Sequence, residues 1–366
     1  MKSISRRSFS AAVALAPLLA TLRQAPRVAA QSATPVIDIP VPIEFPRDDG
    51  LHDTTVEWWY FTGNLQTEAD ERLGFEYVIF RARQGQLEGF VSHFAVTDPA
   101  RERFTYDQRI IGRPGVVGDA AALDLDIEGW TMRGESGDFA LRADMPGYAI
   151  DLSATTQKPP ALHDGDGYID YGNGTASYYY TWTRLAVTGT VAIDGAEQAV
   201  TGEAWMDHQW GDFATYQEGG WDWFSIQLDD DRDLMLYIIR GANGEFLRVD
   251  GTFVDPAGGA TYLGPGDFTV TPTSEWTSPA TNTTYPSGWD VEAPALELAL
   301  AVTPLLLDQE LDTRSTTGVI YWEGAVDVAG AIAGEEVAGH GYVELTGYAP
   351  FEPIGTPAAL AATPAG

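Results

Sequence analysis

The stretch HDTTVEWWYFTGNL, residues 52–65, sets Trp58, Trp59 and Tyr60 side by side directly after Glu57. Successive side chains of a β-strand point to opposite faces. Glu57 and Trp59 therefore share one face, and Trp58 and Tyr60 share the other. A strand with one wet face would alternate apolar with polar residues, so consecutive rings require cover on both sides. One set is expected to seal a barrel, and the other to meet a second domain or a ligand.

The rest of the chain fits that demand. It shows little helical periodicity and many short strand-like runs, among them 75–80, 89–96, 178–193, 223–228, 234–239 and 339–346, divided by Gly, Asp and Pro. Such spacing predicts an all-β fold of barrels or sandwiches. At 366 residues the chain exceeds what one hydrophobic core usually organises. An internal echo suggests two copies of one unit: EWWYFTGNL followed by FEYVIFR ending at Arg81, and GGWDWFSIQL followed by LMLYIIR ending at Arg240. Each copy is an aromatic strand, a polar turn and an aliphatic strand closed by Arg. The expected domains are 46–215 and 216–350, with the boundary near 214–218.

The termini and the charge speak to location. Ser5-Arg6-Arg7-Ser8-Phe9, an apolar run from Ala11 to Leu22 and the small residues Val28-Ala29-Ala30 read as a twin-arginine export signal over 1–30. The apolar run is about half the ~20 residues that a membrane span needs. Residues 31–45 are Pro-rich and read as a linker, and the Ala/Pro/Gly-rich tail, 351–366, reads as disordered. Residues 1–30 carry Lys2, Arg6, Arg7, Arg23 and Arg27 and no acid, so their removal would take the net charge from −32 to −37. That field opposes binding to nucleic acid and to anionic membranes. The chain has no cysteine, which excludes disulfides and thiolate chemistry. A protein released into the periplasm or the medium, with no stable membrane insertion, is expected.

HDTTVEWWYFTGNL, GEAWMDHQWGDF at 202–213, GGWDWFSIQL at 219–228, YWEG at 321–324 and GYVELTGY at 341–348 together resemble the AttH and carotenoid 1,2-hydratase family, in the right order over about residues 45–350. The resemblance implies two tandem lipocalin-like β-domains, barrel or sandwich, with a ligand region inside or between them. It leaves function open, because the family is similar to carotenoid hydratases, fungal hydratases of prenylated phenolics and catalysts of intramolecular cycloaddition.

Within GEAWMDHQWG, strand alternation puts Ala204, Met206, His208 and Trp210 on one face and Trp205, Asp207 and Gln209 on the other. Asp207 and His208 then cannot enter one cavity together. Hydration of an alkene needs an acid to protonate carbon, a surface to shield the cation and a positioned water. His208 could be the acid or hold the water, with Trp210 facing the cation, as the His-x-Trp resemblance also implies; plain barrel packing would explain both residues equally. A carboxylate is expected in the strand after GGWDWF, yet LMLYIIR holds only Tyr237 and Arg240. The acid would then have to be another residue, such as Asp207, Glu57 or Asp222. Glu57 among rings would have a raised pKa if unpaired, whereas an arginine, Arg81 or Arg184, would keep it ionised. Tyr178, Tyr180 and Trp182 alternate with Tyr179, Thr181 and Thr183, as in a barrel wall facing either a ligand or a core.

The candidate catalytic residues are thus His208, Asp207 and Glu57. Trp210, Trp59, Tyr60, Trp205, Trp221, Trp223 and Tyr237 are candidates for an apolar ligand site. His52, His93, His163 and His340 show no metal-ligand spacing, although a site assembled across strands stays open. No phosphate loop, dinucleotide fingerprint or serine elbow is present, and no cofactor is expected. The residues suit hydration of an isoprenoid or lipid-like alkene. A carrier of a hydrophobic small molecule, or a cyclase or isomerase of a polyene, are the alternatives.

Overall fold

A computed structural model of the chain describes residues 40–85, 87–112, 122–172, 174–213 and 219–351. The export segment 1–30, most of the linker 31–45, the boundary 214–218 and the tail from 352 lie outside the described residues. Those described form two antiparallel sheets, one small hairpin and four short 3-10 turns. No helix among them is long and apolar enough to cross a membrane.

The first sheet runs in the order Arg103–Gly112, Leu87–Asp98, Arg72–Gln84, Val56–Thr67, Ala196–Asp212, Ala176–Ile193, Tyr148–Thr156, Asp138–Met145, Trp130–Glu135, Leu123–Ile127. Its two end strands approach one another, which nearly closes a barrel. Arg109 fastens the seam: its guanidinium donates to the carbonyl of Glu128 at 2.7 Å and lies 4.1 Å over the Trp130 ring. The second sheet runs Ala260–Leu263, Phe246–Val254, Asp233–Arg240, Trp221–Leu228, Glu335–Leu345, Ile320–Ile332, Leu298–Pro304, Trp289–Ala293, Thr269–Pro272.

The repeat extends to topology. In each domain the opening aromatic strand pairs on one side with the aliphatic strand that follows it and on the other with the domain's last strand. Each barrel has its own core, built on Trp59, Phe61 and Tyr180 in the first and on Phe224, Trp289 and Trp322 in the second. A third apolar cluster holds Tyr60, Tyr179, Trp205, Trp223 and Tyr237, and it lies between the domains. The alternation of residues 57–60 is thereby satisfied on both faces, with Trp59 in the first core and Trp58 and Tyr60 against the second domain.

Two further features hold the domains together. Gly74 is a point of close approach, since a Cβ there would come within 2.6 Å of both the Ala325 Cβ and the Tyr342 hydroxyl. Arg184 of the first domain donates to Asp233 of the second at 2.7 Å, and Lys158, one of only two lysines in the chain, reaches the same carboxylate at 2.7 Å.

Candidate active site

The two opening strands bring equivalent residues face to face. Aligning Leu65 with Leu228 makes Trp58 the counterpart of Trp221 and Tyr60 that of Trp223. All four line one cavity of about 220 Å³ between the domains, and Phe80, Tyr237 and Ile239 of the neighbouring strands complete its apolar wall. Tyr60 meets Trp223 edge to face, with ring centroids 5.1 Å apart. Each domain's last strand then adds one acid at the same place. Asp207 lies opposite Tyr60 in the first domain, Glu344 lies opposite Trp223 in the second, and both carboxyls line the cavity.

The two acids differ in their surroundings. Asp207 accepts hydrogen bonds from the Tyr179 hydroxyl at 2.6 Å, from the Trp205 indole at 2.8 Å and from Thr181. Burial lifts it to about 6, and these donors limit the rise. Glu344 accepts from the Trp221 indole at 2.8 Å. Burial, with the charges of Asp207 and Asp222 behind it, lifts Glu344 to about 7. Burial raises both carboxyls by similar amounts, and Glu344 stays the higher of the two, so near neutrality Glu344 holds a proton more readily than Asp207 does. His93, also on the cavity, is bonded to Tyr321 at 2.8 Å and to Thr316 at 3.1 Å; burial lowers it to about 3, so it is neutral there.

These shifts predict a pH dependence of stability. A carboxyl whose pKa is higher in the folded chain binds protons more tightly there, so its contribution is full below the unfolded value and is lost as pH rises through the folded one. For Glu344 the window runs from 4.5 to about 7. Glu344→Gln should leave the melting temperature at pH 4 unchanged and raise it at pH 8, as thermal denaturation at the two values would show.

The cavity divides the residues expected from the sequence. Asp207, Tyr60, Trp221, Trp223 and Tyr237 line it, and Trp205 lies beside it as a donor to Asp207. His208, Trp210, Trp59 and Glu57 are elsewhere. They belong to the far face of the same two strands, inside the first barrel, where His208 is fully buried and Trp210 stacks on His52 at 4.0 Å. Glu57 is paired there with Arg81 at 3.2 Å; Arg184 serves the domain interface instead. Burial alone would raise the Glu57 carboxyl, but the neighbouring His208 and His52 hold it below its ordinary value. The environment therefore removes the reason to treat Glu57 as a general acid. Asp222 is engaged by Arg240 and by the Tyr348 hydroxyl.

His52, Glu57 and His208 converge at the end of this barrel, with one ligand atom of each within 4.8 Å of the others, and His52 Nδ1 and His208 Nε2 lie 2.7 and 3.0 Å from Glu57 Oε1. Spacing along the chain gives no sign of that cluster. Glu344 also escapes a reading of the sequence by motif, although it lies within GYVELTGY. Carrying the internal repeat on from the first two strands to the closing one matches it with Asp207.

A model of the AttH-like family matches residues 37–348. The chain belongs to the AttH-like family. The AttH protein NE1406 of Nitrosomonas europaea is 32% identical in sequence, and its structure superposes with a TM-score of 0.77 over 89% of this chain and 100% of that one. Kievitone hydratase of Nectria haematococca shares the fold at 16% identity, with a TM-score of 0.68 over 89% of this chain and 98% of that one. CghA bound to Sch210972 does so at 14% identity, with a TM-score of 0.56 over 85% and 94%. No curated protein matches the chain in sequence. The all-β fold of two lipocalin-like domains expected from the AttH-like motifs is the one observed.

Proposed function

We propose that this AttH-like protein adds water across a carbon–carbon double bond of an apolar isoprenoid or lipid-like molecule seated between its two domains, without a cofactor. The observation that carries the reading is the pair of carboxyls, Asp207 and Glu344, at equivalent positions of the two repeats on one aromatic cavity. A cavity that only bound an apolar ligand would gain nothing from two desolvated acids, because burying them is costly.

The Glu344 carboxylic acid gives its proton to one alkene carbon. The cation left on the other carbon lies among the rings of Trp58, Tyr60, Trp221 and Trp223, whose π-faces stabilise it. Water forms the new C–O bond and loses a proton to the Asp207 carboxylate. The product has gained one hydrogen and one hydroxyl, and a proton passed from Asp207 back to Glu344 restores the starting state. The shared fold and hydratase name of kievitone hydratase agree with this class of reaction.

Native mass spectrometry of protein purified from its host would recover the bound molecule. Incubating that alkene with the protein in ¹⁸O-labelled water should give a product carrying one labelled oxygen. Recovery of the alkene unchanged would leave a carrier and overturn the reaction.

Residues 1–30 support export by the twin-arginine route to the periplasm or the medium, which we propose alongside the reaction. The Arg6→Lys, Arg7→Lys double variant should stay in the cytoplasm, as cell fractionation would show; its normal secretion would contradict this route.

A further inference from the structure

The cluster at the end of the first barrel has more acceptors than donors. Tyr180 donates its one hydroxyl proton to Asp49 at 2.7 Å, so it can only accept from His208 Nδ1, 3.2 Å away. A neutral His208 then turns the lone pair of Nε2 towards Glu57 Oε1 at 3.0 Å. His52 repeats the pattern. Its Nε2 faces the Asp48 carboxylate at 3.2 Å, which the Arg47 fork holds ionised, and the lone pair of its Nδ1 meets the same Glu57 oxygen at 2.7 Å. Two lone pairs aimed at one carboxylate oxygen repel unless a positive charge sits between them. The His52 and His208 rings lie with centroids 5.5 Å apart, and His208 is fully buried.

We propose that His52 Nδ1, His208 Nε2 and Glu57 Oε1 bind one divalent transition-metal ion of the zinc class. Two imidazoles and a carboxylate are a donor set that zinc accepts at about 2.0–2.2 Å. Each ring has its other nitrogen held by a neighbour, Asp48 or the Tyr180 hydroxyl, as metal-bound histidines require. Arg81 occupies the other oxygen of Glu57, so the carboxylate offers one atom to the metal. The His52 side chain is 18% exposed, which provides a way in. The ion is structural, because these residues face away from the cavity that holds Asp207 and Glu344. It clamps the segment before the first strand, through His52, to the last strand of the domain, through His208.

The test uses the full mature chain without a histidine tag, stripped with a chelator and titrated with zinc alone in a calorimeter. One equivalent should bind with a dissociation constant of about 1 µM or below, typical of a site with organised partners. Zinc should raise the parent's melting temperature and leave that of His52→Ala unchanged. Asp48→Asn, which keeps all three ligands, should weaken binding about 10–100-fold. Cobalt in place of zinc should give the visible absorption of nitrogen and oxygen coordination. Absence of stoichiometric binding by the parent, or binding equally tight in His52→Ala, would overturn the site. Because these readouts are binding and melting, their failure would leave the hydration reading untouched.

Discussion

Glu344→Gln is expected to lower hydration by about 10²-fold or more while the variant stays folded and keeps its affinity for the apolar ligand. Gln matches Glu in size and can still accept from the Trp221 indole, which lies 2.8 Å from the parent carboxyl. What it loses is the transferable proton. In the parent, the rate should peak where Asp207 is ionised and Glu344 protonated, between about 6 and about 7. The alkaline limb belongs to Glu344, so any residual activity of the variant should no longer fall above pH 7. Single-turnover rates measured from pH 5 to 9 would show both effects. Activity within threefold of the parent would remove Glu344 from the reaction.

Arg184→Met should cost about 3–5 kcal/mol of stability, the usual loss when one partner of a buried ion pair is removed. Arg184 donates to Asp233 and to the Leu228 carbonyl, both across the domain interface at 2.7 Å, and to Glu203 at 2.8 Å. Methionine fills much of the same volume but answers none of these acceptors. Lys158 and Thr183 still reach Asp233, so its charge keeps some of its compensation. The cavity depends on the same docking, so ligand affinity should fall together with stability. Urea denaturation monitored by tryptophan fluorescence would measure the cost, and a change below about 1 kcal/mol would mean that the pair contributes little.

Features with a short period are legible in the sequence. Alternation at 57–60 and 204–210 assigns faces correctly, because side-chain direction in a strand depends only on parity. Parity alone also separates Asp207 from His208. What it cannot supply is which face carries the cavity, since both faces of the opening strand are apolar. His208 and Trp210 look like site residues on motif grounds, yet their face is the barrel core.

Long-range convergence is not legible. His208 meets Glu57 from 151 residues away, and His52 meets it from a loop, so no spacing rule brings the three together. Lys158 and Asp233, 75 residues apart, give no signal of their ion pair. Glu344 is within reach, because the repeat that matches Trp58 with Trp221 continues to the closing strands. Those strands, GEAWMDHQW and GHGYVELTG, share too little sequence to be matched until pairing with the opening strands sets their register.

The central claim is that the cavity between the domains, rather than the interior of either barrel, is where the molecule is held and changed. A crystal structure of the protein with the ligand recovered from its host tests this most directly. The account predicts density between Trp58, Tyr60, Trp221 and Trp223, with the double bond within reach of the Glu344 and Asp207 carboxyls. Density inside the first barrel, against Trp59, His208 and Trp210, would contradict it.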